Sequence, residues 1–130
     1  MHVFHLAGRE AEPVDPANFT GTGTLVRMAG VSARPAVNAY RVRFEAGTRT
    51  AWHTHSGTQL LLVTEGTCRC QKAGEPVQEV AEGGIVSIEP GERHWHGATP
   101  NAPMTHVALN IEASTIWLEK VGDEDYAGGV

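Results

Sequence analysis

An all-β fold, a sandwich or barrel of short strands in a single domain, is what this sequence predicts, on three observations. Apolar and polar residues alternate with period two in short segments. Clusters of Gly, Pro, Asn and Asp separate those segments, and the 3.6-residue periodicity of an amphipathic helix is nearly absent. The 130 residues are the length of one domain that can bury a core without disulfide or zinc staples. No repeat or linker divides the chain, so one domain is expected over 1–130.

The first strand is expected over 22–28. In the next segment, 36–47, Asn38, Tyr40, Val42 and Phe44 alternate with Ala39, Arg41, Arg43 and Glu45, which gives one mainly apolar face and one charged, solvated face. The run 59–63 is apolar on both faces after Gln59, the pattern of a strand buried between two layers or facing another subunit. Residues 67–80 read as a hairpin, with Cys68 and Cys70 pointing in, Arg69 and Gln71 pointing out, and the turn carried by 72–76. A strand within 83–91 ends in a Pro-Gly turn, and further strands are expected over 104–111 and 116–121. The segments 13–21 and 122–130 read as irregular ends. Gly47, Gly66 and Gly91 are assigned to turns, where glycine supplies backbone angles that other residues resist.

Composition narrows the partners. Ten basic residues dispersed among fifteen acidic ones, for a net charge of −5, leave no basic face for nucleic acid and no polybasic membrane anchor, so a small molecule is the expected partner. The start, "MHVFHLAGRE", lacks the charged and apolar regions of a secretory signal, and no run approaches a membrane span, so a cytoplasmic location is expected. Two cysteines two residues apart on one strand face are poorly placed to bond each other and read as small, reduced core residues. The outward apolar positions Leu60 and Leu62 point to a homo-oligomer, dimer or tetramer.

Five of the seven histidines lie between 53 and 106. His53 and His55 form an i, i+2 pair, as do His94 and His96, so on extended backbone each pair projects from one face. The turn chemistry of Pro100-Asn101-Ala102-Pro103 predicts that the strands on either side form an antiparallel hairpin, with His96 opposite His106 and His94 opposite Ala108. His94, His96, His106 and Asn110 would then share a face. An interior accommodates several imidazoles only if their nitrogens are satisfied, and divalent first-row metals suit imidazole, so a metal site is expected. Trp52 and Trp95 each precede one of these histidines and, by alternation, point away from the site into a second layer or a subunit contact. His2 and His5 fall outside the cluster.

The run Gly47-x5-His53-x-His55-x3-Gln59-x6-Gly66 resembles the first cupin motif, and Gly83-x5-Glu89-Pro90-Gly91-x2-His94 resembles the second, with sixteen residues between them. The resemblance spans nearly the whole chain, with its motifs at 47–66 and 83–98, and implies a double-stranded β-helix, or jelly-roll barrel. It implies a metal held by His53, His55, His94 and the residue at 59. The chain departs from the pattern in having Gln59 for the usual Glu, Glu89 for Pro, Ala98 for Asn and Gly84 for Asp. An amide ligand leaves the +2 charge of the ion uncompensated, which weakens metal binding and favours an anionic ligand.

A narrower resemblance is carried by "TAWHTH", Gln59, "PGERHWHGA", "MTH" and the earlier "FTG". These look like the small manganese-dependent cupins that include bacterial hydroxynitrile lyases. That resemblance implies Mn2+, with Fe2+, Zn2+ or Ni2+ as alternatives, on His53, His55, Gln59 and His94. It places His96 and His106 beside the open metal positions, where either could be the acid/base of cyanohydrin cleavage or formation. Tyr40, Val42 and Asn110 are expected to shape the substrate pocket. Two other functions fit the same fold: an oxygen-dependent cupin dioxygenase, and a non-enzymatic module that binds or senses a small anion.

Overall fold

The computed structural model describes residues 1–128, and the last two residues of the acidic C-terminal segment lie outside them. Thirteen strands and one helical turn follow in order: β1 Glu12–Pro13, β2 Phe19–Thr20, β3 Gly23–Ala33, β4 Ala36–Phe44, β5 Arg49–Thr50, β6 His53–His55, β7 Thr58–Glu65, β8 Thr67–Lys72, β9 Gln78–Ala81, β10 Ile85–Ile88, β11 His94–Ala98, β12 Met104–Ile111, β13 Thr115–Trp117 and α1 Asp123–Tyr126. One sheet has the order β1-β3-β4-β12-β7-β10; the other runs β13-β6-β11-β5-β2, with β8 pairing to β11 and β9 to β8. From β4 onward the chain passes repeatedly from one sheet to the other, which is the jelly-roll topology expected.

The inward faces are those the alternation assigns. Val42, Phe44, Val63, Cys68, Ala98 and Met104 join Val14 and Phe19 in one apolar cluster, and Leu61, Ile88 and Ala108 form a second. The hairpin over 67–80 is present as β8 and β9, with Cys68 opposite Val80 and Cys70 opposite Gln78, and both cysteines are free thiols. Gly47, Gly66 and Gly91 have φ of 78°, 74° and 78°, the left-handed region that turns require.

The expected hairpin across 99–103 is not formed. β11 pairs with β8, β6 and β5 in one sheet, while β12 lies between β4 and β7 in the other. A single bridge between Thr99 and Ala102 closes the turn and goes no further. Pro100 and Pro103 have no N–H to continue a ladder, so the segment carries the chain between sheets instead. At Gly97 a β-carbon would meet Thr48 O at 2.4 Å, so glycine is what lets β5 take the place beside β11.

Other boundaries shift for local reasons. β3 extends past residue 28 because a register shift between Met28 and Ser32 absorbs extra chain, with Gly30 at φ 66° donating its N–H to Asn38 Oδ1. The strand expected over 116–121 is regular only over Thr115–Trp117, although Leu118 and Glu119 still exchange backbone hydrogen bonds with Trp52. The ends are less irregular than expected. β1 and β2 pair with β3 and β5, and α1 buries Tyr126 against Trp52, Trp95 and Val121. The two tryptophans therefore point into a second layer made by the chain's own C-terminal segment. Arg49 fastens it, with its guanidinium over the Tyr126 ring and bonded to Val121 O and Asp123.

Candidate metal centre

β6 and β11 lie side by side with His53 opposite His94, so two i, i+2 histidine pairs from adjacent strands converge on one inward patch. The His53 and His94 ring centroids are 4.2 Å apart, those of His53 and His55 5.0 Å, and those of His55 and His94 5.2 Å. All four histidines of the two pairs are buried, as are Gln59 at the start of β7 and His106 on β12. His53, His55, His96, Gln59 and His106 form the floor of a cavity of about 380 Å³, walled by Phe19, Leu25, Tyr40, Val42, Phe44 and Trp117. Tyr40, Val42 and Asn110, the three expected pocket residues, all line it.

Hydrogen bonds fix how the rings face. Nδ1 of His53 lies 2.8 Å from Ala51 O, Nδ1 of His94 2.8 Å from Glu92 O, and Nδ1 of His55 2.9 Å from Thr115 Oγ1. A carbonyl can only accept, so Nδ1 carries the hydrogen in His53 and His94 and Nε2 is left as a lone pair, the tautomer a metal ligand needs. His94 Nε2 is buried without a partner among the described residues. Gln59 Oε1 lies 3.1 Å from His55 Nε2, so an amide oxygen and an imidazole nitrogen meet on the same patch. The residues present therefore fit a divalent metal. The ligating atoms of His53, His94 and His96 also lie within 4.8 Å of one another and could hold an ion.

His96 differs in its own bonds. Its Nδ1 is 3.0 Å from His106 Nε2, while His96 Nε2 and His106 Nδ1 have no partner among the described residues. The two rings reach each other across the space between the sheets. Phe44 packs edge-on against both. Burial is the largest cause lowering every histidine pKa here: His53 and His96 lie well below the usual 6.5, His94 and His106 are pushed down to about 4, and His55 is lowered. All five are therefore neutral at pH 7, the form that ligates metal or accepts a proton.

Four contributors are given no site role by the sequence reading. Thr115 holds His55, Trp117 packs on His53 at 4.6 Å between centroids, Thr50 Oγ1 accepts the His96 N–H, and Phe19 completes the aromatic wall. Thr115 and Trp117 share one face of β13 two residues apart. Alternation would have found them had the strand been started one residue earlier.

Two sheets joined by jelly-roll crossings, with histidines from both cupin motifs on the inward floor, define the class. The chain belongs to the cupin family, whose domain matches residues 40–110. It is 41% identical over 123 residues to an (R)-mandelonitrile lyase of Granulicella tundricola, across 92% of this chain and 94% of the relative. Among solved structures it is similar to a cupin-like protein of Thermotoga maritima, at 29% identity and a TM-score of 0.83, covering 99% of this chain and 98% of the other. The polyketide cyclase RemF of Streptomyces resistomycificus shares the fold, at 16% identity and a TM-score of 0.73, over 97% and 90% of the two chains. No helix among the described residues is long and apolar enough to cross a membrane.

Proposed function

We propose that this chain is a metal-dependent cupin lyase that cleaves or forms cyanohydrins, with Mn2+ held by His53, His55, Gln59 and His94. The observation that carries the reading is the buried pair His96 and His106, with Nδ1 and Nε2 3.0 Å apart, beside the imidazole cluster. The 41% identity to an (R)-mandelonitrile lyase over nearly the whole of both chains supports the choice of substrate class. Of the two ligand sets the histidines allow, the one with His55 and Gln59 is favoured because His53 and His94 have Nδ1 anchored on carbonyl oxygen and His55 on a hydroxyl, whereas His96 spends Nδ1 on another imidazole. A bound divalent ion would supply Lewis-acid polarisation of the substrate's oxygen or nitrile.

The residues supply the rest. The single hydrogen between the two rings can sit on His96 Nδ1, which leaves a lone pair at His96 Nε2, or on His106 Nε2, which leaves one at His106 Nδ1. The pair thus holds a basic nitrogen at one end or the other. In cleavage the pair accepts the hydroxyl proton; the O–H electrons form the second bond of the carbonyl, and the C–C bonding pair leaves with cyanide. The same proton is returned, and aldehyde and hydrogen cyanide depart. Phe19 and Trp117 from one sheet and Tyr40, Val42 and Phe44 from β4 of the other line the cavity that would hold the aldehyde's body. The test is cyanide release from mandelonitrile by the manganese-loaded protein. Oxygen uptake with no cyanide release would move the chain to the oxygen-dependent cupins.

A further inference from the structure

Resting on the reading of Gln59 as a metal ligand, we infer that Asn110 sets the polarity of the site. Its side-chain oxygen pins the Gln59 amide so that Oε1 faces the imidazoles, and its remaining amide hydrogens form a donor for a lone pair on the substrate.

A primary amide has one accepting and one donating end of nearly equal size, so its neighbours decide which end faces which way. Gln59 is 4% exposed, and bulk water does not make that decision. Its Oε1 is 3.1 Å from His55 Nε2, and its Nε2 donates to Asn110 Oδ1 at 2.8 Å. Strand pairing builds the contact, since Asn110 on β12 lies directly opposite Gln59 on β7. Asn38, opposite Asn110 on the other side, accepts the Gly30 N–H at its Oδ1 and makes no bond to Asn110. Reversing Gln59 alone would put its oxygen against Asn110 Oδ1 and an N–H2 group against the imidazoles. No lone pair would then face the ion. The two amides are therefore linked, and Asn110 acts on the metal through Gln59 as a positioning residue.

The link fixes Asn110 as well. With Oδ1 committed, Nδ2 is the free end, and no acceptor among the described residues takes its hydrogens. Asn110 lines the cavity beside Ala108, Tyr40 and Val42. A small neutral molecule over the imidazole floor meets there an uncharged donor suited to a nitrile nitrogen or a carbonyl or hydroxyl oxygen.

Three measurements on the wild type, Asn110→Asp and Asn110→Leu test this, with Asn110→Ala replacing the leucine variant if that does not fold. In the metal-free protein, ¹⁵N spectra of side-chain amides should show a Gln59 hydrogen protected from exchange in the wild type and Asn110→Asp, and unprotected in Asn110→Leu. Calorimetric titration with Mn2+ should show affinity lowered about tenfold or more in Asn110→Leu and not lowered in Asn110→Asp, whose carboxylate still accepts. Benzaldehyde, used as a non-reacting probe, should bind about fivefold more weakly to both variants, which lack the donor. An unprotected wild-type Gln59 hydrogen, or wild-type Mn2+ affinity in the leucine variant, overturns the pinning. Wild-type benzaldehyde affinity in Asn110→Asp overturns the donor. A wild type that takes up no Mn2+ refutes the metal reading instead, and the exchange measurement still decides the amide link.

Discussion

His96 and His106 belong to different sheets, yet Nδ1 of one lies 3.0 Å from Nε2 of the other. Both are buried, and His106 is bonded to His96 and packs edge-on against the Phe44 ring. His106→Asn should therefore leave Mn2+ content unchanged while lowering kcat for mandelonitrile cleavage by about a hundredfold or more. Metal analysis and steady-state kinetics on the same preparation check it. Unchanged turnover would remove His106 from the mechanism.

The two possible ligand sets separate on His55 and His96. If His55 and Gln59 complete the site, His55→Ala should weaken Mn2+ binding by about tenfold or more. His96→Ala should keep the metal and lose turnover. The reverse order, read by titration of metal-free protein, would place the ion among His53, His94 and His96, whose ligating atoms lie within 4.8 Å of one another.

The convergence of these histidines was legible in the sequence because period two decides sides without knowing partners. His53 with His55, and His94 with His96, must share faces on extended backbone, and the structure turns both pairs inward. The partners themselves were not legible. Turn residues at 100–103 state that the chain bends there, and a bend serves a crossing between sheets as well as a hairpin. His96 and His106 meet across the barrel rather than along a strand pair. The C-terminal clamp was hidden for a different reason: one helical turn, Asp123–Tyr126, is too short to show periodicity, and Tyr126 is its only buried residue. The amide link escaped too, since spacing places Gln59 near His55 but the end of the amide that faces it depends on Asn110, fifty-one positions away.

Acid should destabilise the metal-free protein over a defined range. Burial holds His106 down to about 4, against the usual 6.5 in an unfolded chain. Between those values the unfolded state takes up a proton that the folded state refuses. This contribution to stability is therefore complete above about pH 6.5 and lost progressively as the pH falls toward 4, amounting to roughly 3 kcal/mol. Urea midpoints measured with a chelator from pH 8 to pH 4 should fall in that window, and His106→Asn should flatten the fall. An equally steep decline in the variant would assign it to other groups.

The outer face of the β7 and β10 pair should be covered by a second copy of the chain. Leu62 and Ile85 are opposite each other across these strands, 41% and 66% exposed, and Leu60, Val107 and Leu109 continue the apolar surface. Leu62→Lys combined with Ile85→Lys should shift the species seen by light scattering to the monomer, with the cavity and its metal affinity intact. A wild type that is already monomeric at micromolar concentration would sink the assignment.

Gln59→Glu tests the electrostatic consequence of the amide. Three neutral imidazoles and an amide oxygen leave a divalent ion with its full +2 charge, whereas a carboxylate reduces it to +1. The variant should bind Mn2+ more tightly and cyanide more weakly, because an anion gains less from the less positive centre. Lewis acidity falls with the same charge, so kcat for mandelonitrile should fall even as metal occupancy rises. That opposition distinguishes the charge argument from simple damage to the site, which would lower occupancy and rate together. The new carboxylate would also face Asn110 Oδ1, which now accepts the Gln59 amide hydrogen at 2.8 Å. Two acceptors do not share that contact, so Asn110 should reverse and donate its Nδ2 hydrogens to the carboxylate. Its exchange-labile hydrogens would then become protected in ¹⁵N spectra, and the benzaldehyde affinity would fall with them. Tighter metal binding with unchanged cyanide affinity and rate would show that the charge left by Gln59 has no part in the chemistry.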